Sequence, residues 1–462
     1  MTGNGWRRAP RAFCILVGLP ILAACADDQP YNAPAFSFLS SYKAAPEGAP
    51  VLLSNADWWK SFKDPTLDAL VAAGLEGSLD LDLAQERVRE AEAIQRTVPR
   101  AAFLSPRAGM QRERGETGSS RTRADASLSF DWILDIHGGR RAQIDAAGAR
   151  IEVADAEVDA ARLLLLLNIS NAYIDLRYQQ ASLVLRRSEL ASRQQTLELI
   201  ERLQEGSAAT QVDVVRARAL VSETRSEIPS IKAAIEAASN ELAVLLGRVP
   251  GQIGIALNGS ARQPRVSLSP DVGIPADLLR NRPDIRVAER SYYAAFRDVA
   301  GARADLYPQL SLSGTITRNA LSGTSGTEYF FGPSLTLPIL PNTARRATVE
   351  QRESLVRQNH TQWQQTVLGA IRDVETALAE YSSALSAQRA AEQTVRLYEE
   401  VVDLTREVVT GDGATIRDLI DAEQNVATAN ATLADTLRRA ARSYVALNVN
   451  LGSGHAVEEA PE

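Results

Sequence analysis

From Ala142 to Glu205 the chain runs without a proline and with a single glycine, Gly148. At a rise of about 1.5 Å per residue, one helix of that length spans roughly 95 Å, wider than any single domain core. Only 5% of the residues are aromatic, and alanine, leucine, glutamine, glutamate and arginine fill the long stretches. That is the composition of extended helices and coiled coils. The stretch also recurs. Residues 129–247 lie over 334–452 at a constant offset of 205, pairing Arg140-Arg141-Ala142 with Arg345-Arg346-Ala347, Gly206 with Gly411, Asp213 with Asp418, and Gly247 with Gly452. Upstream the offset becomes 202, placing Leu104 and Pro106 on Leu306 and Pro308, and the difference is assigned to the intervening hairpins. Each repeat therefore reads helix, strand, loop, strand, very long helix, turn, long helix. Gly206 and the Gly411-Asp412-Gly413 segment are the helix breakers at which each long helix folds back. Asp213 and Asp418 then open the returning helices, where negative charge suits the helix dipole. The fold class expected is mainly α, with long hairpins and four β-strands in a tandem repeat.

The strands alternate. Ala124, Ala126, Leu128, Phe130 and Trp132 share one face, with Asp125, Ser127, Ser129 and Asp131 on the other. Leu310, Leu312, Gly314 and Ile316 alternate with serine and threonine, as do Phe331, Pro333, Leu335 and Leu337 with Gly332, Ser334 and Thr336. The strand around Ser105–Arg114 is the weakest, because Arg107, Arg112 and Arg114 crowd it. A half-buried strand in a soluble sandwich has the same period as a membrane strand. The count decides between them: four strands cannot close a barrel, and open edges are not tolerated in hydrocarbon. Three copies would supply twelve strands, with Phe130, Trp132, Leu335 and Leu337 toward lipid and the hydroxyl face toward a water-filled bore.

The N-terminus carries Arg7, Arg8 and Arg11 ahead of the apolar run Ala12–Ala24, the pattern of a secretory signal. The run ends in Leu22-Ala23-Ala24-Cys25, which resembles the bacterial lipobox, whose cysteine is diacylated and becomes the mature N-terminus. Ala26 follows where an aspartate would favour inner-membrane retention, so outer-membrane sorting is permitted. Removing residues 1–24 leaves 47 basic and 57 acidic side chains, a net charge of about −10, which argues against a nucleic-acid partner. Cys14 and Cys25 are the only cysteines, so the mature chain has no disulfide and no thiolate metal site, and no cofactor is expected. The division expected is 1–24 signal peptide, 25–56 acylated linker, 57–260 and 261–452 the two repeats, and 453–462 a tail.

Three segments resemble the TolC-like outer-membrane efflux proteins, in particular their acylated NodT-type branch. They are Trp58-Trp59-Lys60-Ser61-Phe62-Lys63-Asp64-Pro65-Thr66-Leu67, then Asn281-Arg282-Pro283-Asp284-Ile285-Arg286 with Ala302-Arg303-Ala304-Asp305-Leu306-Tyr307-Pro308, and Asp131 to Arg140. The resemblance covers nearly the whole mature chain. It implies a homotrimer with a twelve-stranded β-barrel in outer-membrane lipid and a helical barrel of roughly 100 Å in the periplasm. It implies two partners, a periplasmic adaptor and an inner-membrane pump of the resistance-nodulation-division (RND) class. Pro338 to Arg345 departs from the pattern, replacing a glycine-rich link.

In the resembled family the closed periplasmic tip is held by rings of side chains, often an aspartate in a "D-A-x-x" segment. Asp421-Ala422-Glu423-Gln424 matches it, Asp418 lies one turn earlier, and Arg417 is placed to pair with Asp421. The competing reading is a solvated helix face with charges at i, i+4. Gly206, Ser207, Thr210, Gly411, Gly413 and Thr415 form the turns expected to face the adaptor, though small residues also simply make turns. His137, His360 and His455 are scattered, and no nucleophile or metal-ligand spacing occurs, so no enzymatic activity is expected. The function expected is passive export from a pump across the outer membrane. A type I secretion exit duct uses the same architecture, and a periplasmic coiled-coil adaptor or scaffold lipoprotein is the reading from another class.

Overall fold

The computed structural model describes Tyr31, Pro34 and residues 56–98, 101–114, 120–206, 208–257, 262–266, 282–321, 324–338, 342–409 and 415–454. Cys25, Ser207, Gly411, Gly413 and His455 lie outside these residues. In chain order the elements are a 3-10 turn Trp58–Phe62, α1 Pro65–Gly77, α2 Leu79–Thr97, β1 Ala102–Arg114 and β2 Ser120–Leu134. After them come α3 Gly139–Glu205, α4 Gln211–Leu245, α5 Pro283–Ala304, β3 Gln309–Leu321, β4 Thr324–Thr336, α6 Thr343–Val409 and α7 Ile416–Asn450. The two long helices are 67 residues each and the two returning helices 35 each. The chain divides into two units, one holding the strands (residues 100–142 and 300–348) and one the helices (31–99, 143–299 and 349–462).

The strand unit is one antiparallel sheet in the order β1-β2-β3-β4. Its strands are 13 or 15 residues long, longer than the alternation alone suggested. The register aligns the four alternations. Ala102, Trp132, Leu312 and Pro333 form one row, Leu104, Phe130, Gly314 and Phe331 the next, and Pro106, Leu128, Ile316 and Tyr329 the third. Gly314 leaves room for its neighbour, since a Cβ there would lie 3.0 Å from the Phe331 ring. The opposite face carries Asp131 and Ser313, Ser129 and Thr315, and Arg107, Ser127, Thr317 and Glu328, with Phe330 as an apolar exception. Ser129 and Thr315 join their hydroxyls at 3.2 Å. Both proline-bearing strands, β1 (Pro106) and β4 (Pro333), are edge strands, where a missing N–H is tolerated.

The repeat offset differs at strand level from the reading above. β1 and β3 start at Ala102 and Gln309, 207 apart, whereas β2 and β4 start at Ser120 and Thr324, 204 apart. The extra three residues thus sit in the first hairpin connection, and Leu306 and Pro308 precede β3 rather than lying in it. At the sheet-to-helix joint the Asp135 carboxylate accepts from the Arg140 and Arg141 N–H groups at 3.1 and 2.9 Å, capping α3, while His137 stacks on Tyr307.

The helical unit packs around the aromatic entry segment. Trp58, Trp59 and Phe62 are buried with Leu166, Ile169 and Tyr173 of α3, Trp363 and Tyr381 of α6, and Tyr444 and Val445 of α7. Asp64 caps α1 through the Thr66 N–H and accepts from the Tyr173 hydroxyl, which in turn accepts from Arg177 Nε at 2.8 Å. Burial and the bond to Asp64 push the Tyr173 phenol well above its ordinary range. The Arg-Pro-Asp motif has a mechanical role: Pro283 opens α5, Arg282 grips Asp284 with two nitrogens (3.0 and 2.7 Å), and it donates to the Asn450 carbonyl at 2.8 Å. That contact ties the start of α5 to the end of α7. Along its length α5 is fixed to α3 by Arg286–Asp159, Arg290–Glu152, Arg297–Asp145 and Arg150–Asp298.

The returning helices end alike. Gly247 and Gly452 adopt φ of 66° and 73°, and each closes a Schellman motif: Gly247 N to Val244 O with Arg248 N to Ala243 O, and Gly452 N to Val449 O with Ser453 N to Asn448 O.

Candidate functional site

The hairpin ends are built by capping chemistry. Thr210 and Thr415 each form a reciprocal capping box with Asp213 and Asp418, their hydroxyls donating to the aspartate at 2.6 Å. Bonds from the threonine hydroxyl first, and from its backbone N–H second, hold both carboxyls below their ordinary range. Gly206 ends α3 without a left-handed φ: its N–H bonds Arg202 O at 3.2 Å and Ala208 N bonds Leu203 O at 2.8 Å. Beside the turn a small apolar cluster of Ile200, Val214 and Ala217 packs with Leu197, Ala209, Ile416 and Ile420, so the two hairpins meet near their ends.

Arg417, Asp418 and Asp421 are all exposed in the single chain. The Asp418 carboxylate is engaged in its cap, and among the described residues no ion pair joins Arg417 to Asp421 within the chain.

One turn further along α7 lies a junction that the sequence reading passed over. The Glu423 carboxylate, 11% exposed, accepts from the Ser192 hydroxyl (3.0 Å), the Thr196 hydroxyl (3.0 Å) and Arg406 (3.0 Å). Beside it Arg193 of α3 donates to the Leu220 carbonyl of α4 and to Gln424 of α7, and pairs with Glu189 at 2.6 Å. Four helices therefore meet on two side chains, under a cleft of about 630 Å³ whose walls include Tyr178, Ile231, Val402 and Val426. A signal was available: Leu419, Ala422 and Ala429 are the buried stripe of α7, and Glu423 falls four residues after Leu419, on the side facing α3.

Phe130 and Trp132 lie on the apolar face of the sheet, in register with Leu104, Gly314 and Leu312, and Leu335 pairs with Leu310 on that face. Leu337 follows just beyond β4. Leu335 and Leu337 are 58% and 49% exposed in the single chain, and Tyr329 85%. Ser127 and Ser129 lie on the polar face. The helical unit also shows unfilled surface: α6 buries Ala391, Val395 and Val402 along one side while Leu397, Val401, Leu404 and Val408 form a second, exposed stripe at spacings of four, three and four.

Paired helical hairpins, used twice, together with a sheet that has one apolar and one polar face, define the α-barrel class of channel proteins. A family model described as "Outer membrane efflux protein" matches residues 70–248 and 274–453. Nodulation protein T of Rhizobium leguminosarum bv. viciae is 36% identical over 408 residues, covering 86% of this chain and 84% of that protein. The toluene efflux pump outer membrane protein TtgF of Pseudomonas putida is 32% identical over 346 residues, 71% of this chain and 70% of its own length. Among solved structures, the outer-membrane channel OprN superposes with a TM-score of 0.84 at 27% identity, covering 93% of this chain and 99% of OprN. The chain belongs to the outer membrane efflux protein family. Its part is that of the outer-membrane channel component of an efflux system.

Proposed function

We propose that three copies of this chain form one tube, with a twelve-stranded barrel in the outer membrane, through which a periplasmic adaptor and an inner-membrane RND pump export their substrates. The observation that carries this reading is the four-stranded sheet, apolar on one face and polar on the other, with β1 and β4 at its edges and neither paired to a further strand among the described residues. Unpaired edges cost several kcal/mol per group in hydrocarbon, so such a sheet enters a bilayer only by closing with others. The second apolar stripe on α6 supports the same closure, because a helix with seams on two sides is built to sit between neighbours. Phe130, Trp132, Leu335 and Leu337 then face lipid, and Ser127, Ser129 and Thr336 the bore. Cysteine replacements on the two faces, treated with a membrane-impermeant thiol reagent, test the reading together with heat-modifiable trimer migration on gels. Labelling confined to the polar face is expected, and equal labelling of both faces refutes membrane strands.

The anchor and the gate complete the proposal. Cys25 is the acylated mature N-terminus, which the mass of the N-terminal peptide checks. Asp421 forms a ring of carboxylates in the bore near the tip, with Arg417 of a neighbouring copy as its partner and Asp418 one turn away. The turns at Gly206–Thr210 and Gly411–Thr415 meet the adaptor. Asp421→Ala and Arg417→Ala should each raise single-channel conductance, and unchanged conductance and cation selectivity in both would move the gate elsewhere.

A further inference from the structure

Tyr31 lies in the linker between the signal segment and the first helical turn, yet its ring is packed against α5. The centroid distances are 4.7 Å to Tyr293 (edge-on), 5.8 Å to Phe296 and 6.0 Å to Tyr292. Tyr292, Tyr293 and Phe296 are spaced one, three and four apart, so they share one face of the helix. The Tyr31 hydroxyl is buried and has no hydrogen-bond partner among the described residues. The contact is therefore made by the ring alone, and the hydroxyl is a cost the ring contact outweighs.

We infer that this aromatic face of α5 is an intramolecular docking site for the chain's own N-terminal linker, with Tyr31 as the plug. The consequence for the anchor rests on the lipidation reading above: docking pins the chain six residues after Cys25. A leash of that length reaches at most about 20 Å. The dock thus fixes the acyl group near one helix, and α5 is the helix that leads into β3.

Hydroxyl-radical footprinting of the full-length protein in nanodiscs tests the dock, with oxidation of the α5 peptide read by mass spectrometry. Tyr31→Ala should raise the oxidation rates of Tyr293 and Phe296 at least about threefold, because an aromatic pair contributes enough to keep the site mostly covered. Tyr31→Phe should leave both rates at the wild-type level, since it removes only the unpartnered hydroxyl. Far-UV circular dichroism and trimer migration confirm that the variants fold. No rise in Tyr31→Ala, or a rise of the same size in Tyr31→Phe, overturns the docking site. Cys25→Ser separates the two readings: it should abolish acylation in the peptide mass while leaving the α5 oxidation rates unchanged. A rise in those rates would show that the acyl chain, not the ring, holds the linker, and would equally overturn the proposal.

Discussion

Replacing Glu423 by alanine should loosen the apposition of the two hairpins more than any change at the exposed positions around it. The carboxylate takes two hydroxyl donors, Ser192 and the buried Thr196, and one guanidinium, Arg406. Hydrogen bonds to a charged group contribute about 1.5–3 kcal/mol each when sheltered from water. The Arg406 side chain is 48% exposed, which reduces its pairing to less than about 1 kcal/mol. The hydroxyl bonds therefore dominate, and Glu423→Ala should cost about 2–4 kcal/mol, shifting the closed-to-open equilibrium of the junction about 30- to 1,000-fold. Amide hydrogen exchange along α7 around Leu419–Val426, in purified protein reconstituted in nanodiscs, reads that equilibrium directly. Glu423→Gln should fall between wild type and Glu423→Ala, keeping an acceptor without the charge. Arg406→Ala should shift that equilibrium less than about fivefold. Exchange unchanged in Glu423→Ala, or equal in the two alanine variants, would refute the reasoning that sheltered hydroxyl bonds hold the junction.

The remaining predictions concern the helix ends and one helix interior. Gly247→Ala should destabilise the helical unit by more than about 1 kcal/mol in thermal unfolding, because it combines a left-handed φ with a Cβ placed 2.1 Å from the Gly77 carbonyl oxygen. Gly148→Ala should do the opposite by about 0.5–1 kcal/mol, since its Cβ meets only Gln95 Nε2 at 3.6 Å inside a continuous helix. The lowered Asp213 and Asp418 carboxyls stabilise the tips in full above the ordinary value of 3.8, and that contribution is lost as pH falls below it through the folded-state value. Acid titration of tip hydrogen exchange should therefore show a transition below pH 3.8 that vanishes in the Asp213→Asn/Asp418→Asn variant.

Period and repetition made most of this architecture legible. A proline-free run longer than any core width forces a long helix, and the duplicated Thr-x-x-Asp and glycine positions mark both ends of each returning helix. The strand faces followed from period two, because residues directly opposite in an antiparallel pair share a face. Strand length did not: β1 begins at Ala102, three residues ahead of Ser105, and β2 at Ser120, four ahead of Ala124, where the alternation gives no signal. Glu423 was harder to see: a glutamate in a charged helix reads as solvated until Ser192 and Thr196, more than 200 residues away, are brought against it. Gly206 shows the reverse, a glycine that marks a turn without needing a glycine's backbone freedom.

The unpaired edges of the sheet have a genetic consequence. In the ring of three proposed above, β1 of one copy zips to β4 of the next, so a lesion in either edge strand is not confined to the molecule that carries it. In a cell making equal amounts of intact and edge-defective chains, random mixing into rings of three would leave only about one ring in eight free of the defect. Edge-strand mutations should therefore behave as dominant-negative alleles, while equally severe lesions in the interior of α3 that unfold the chain before it assembles should be recessive.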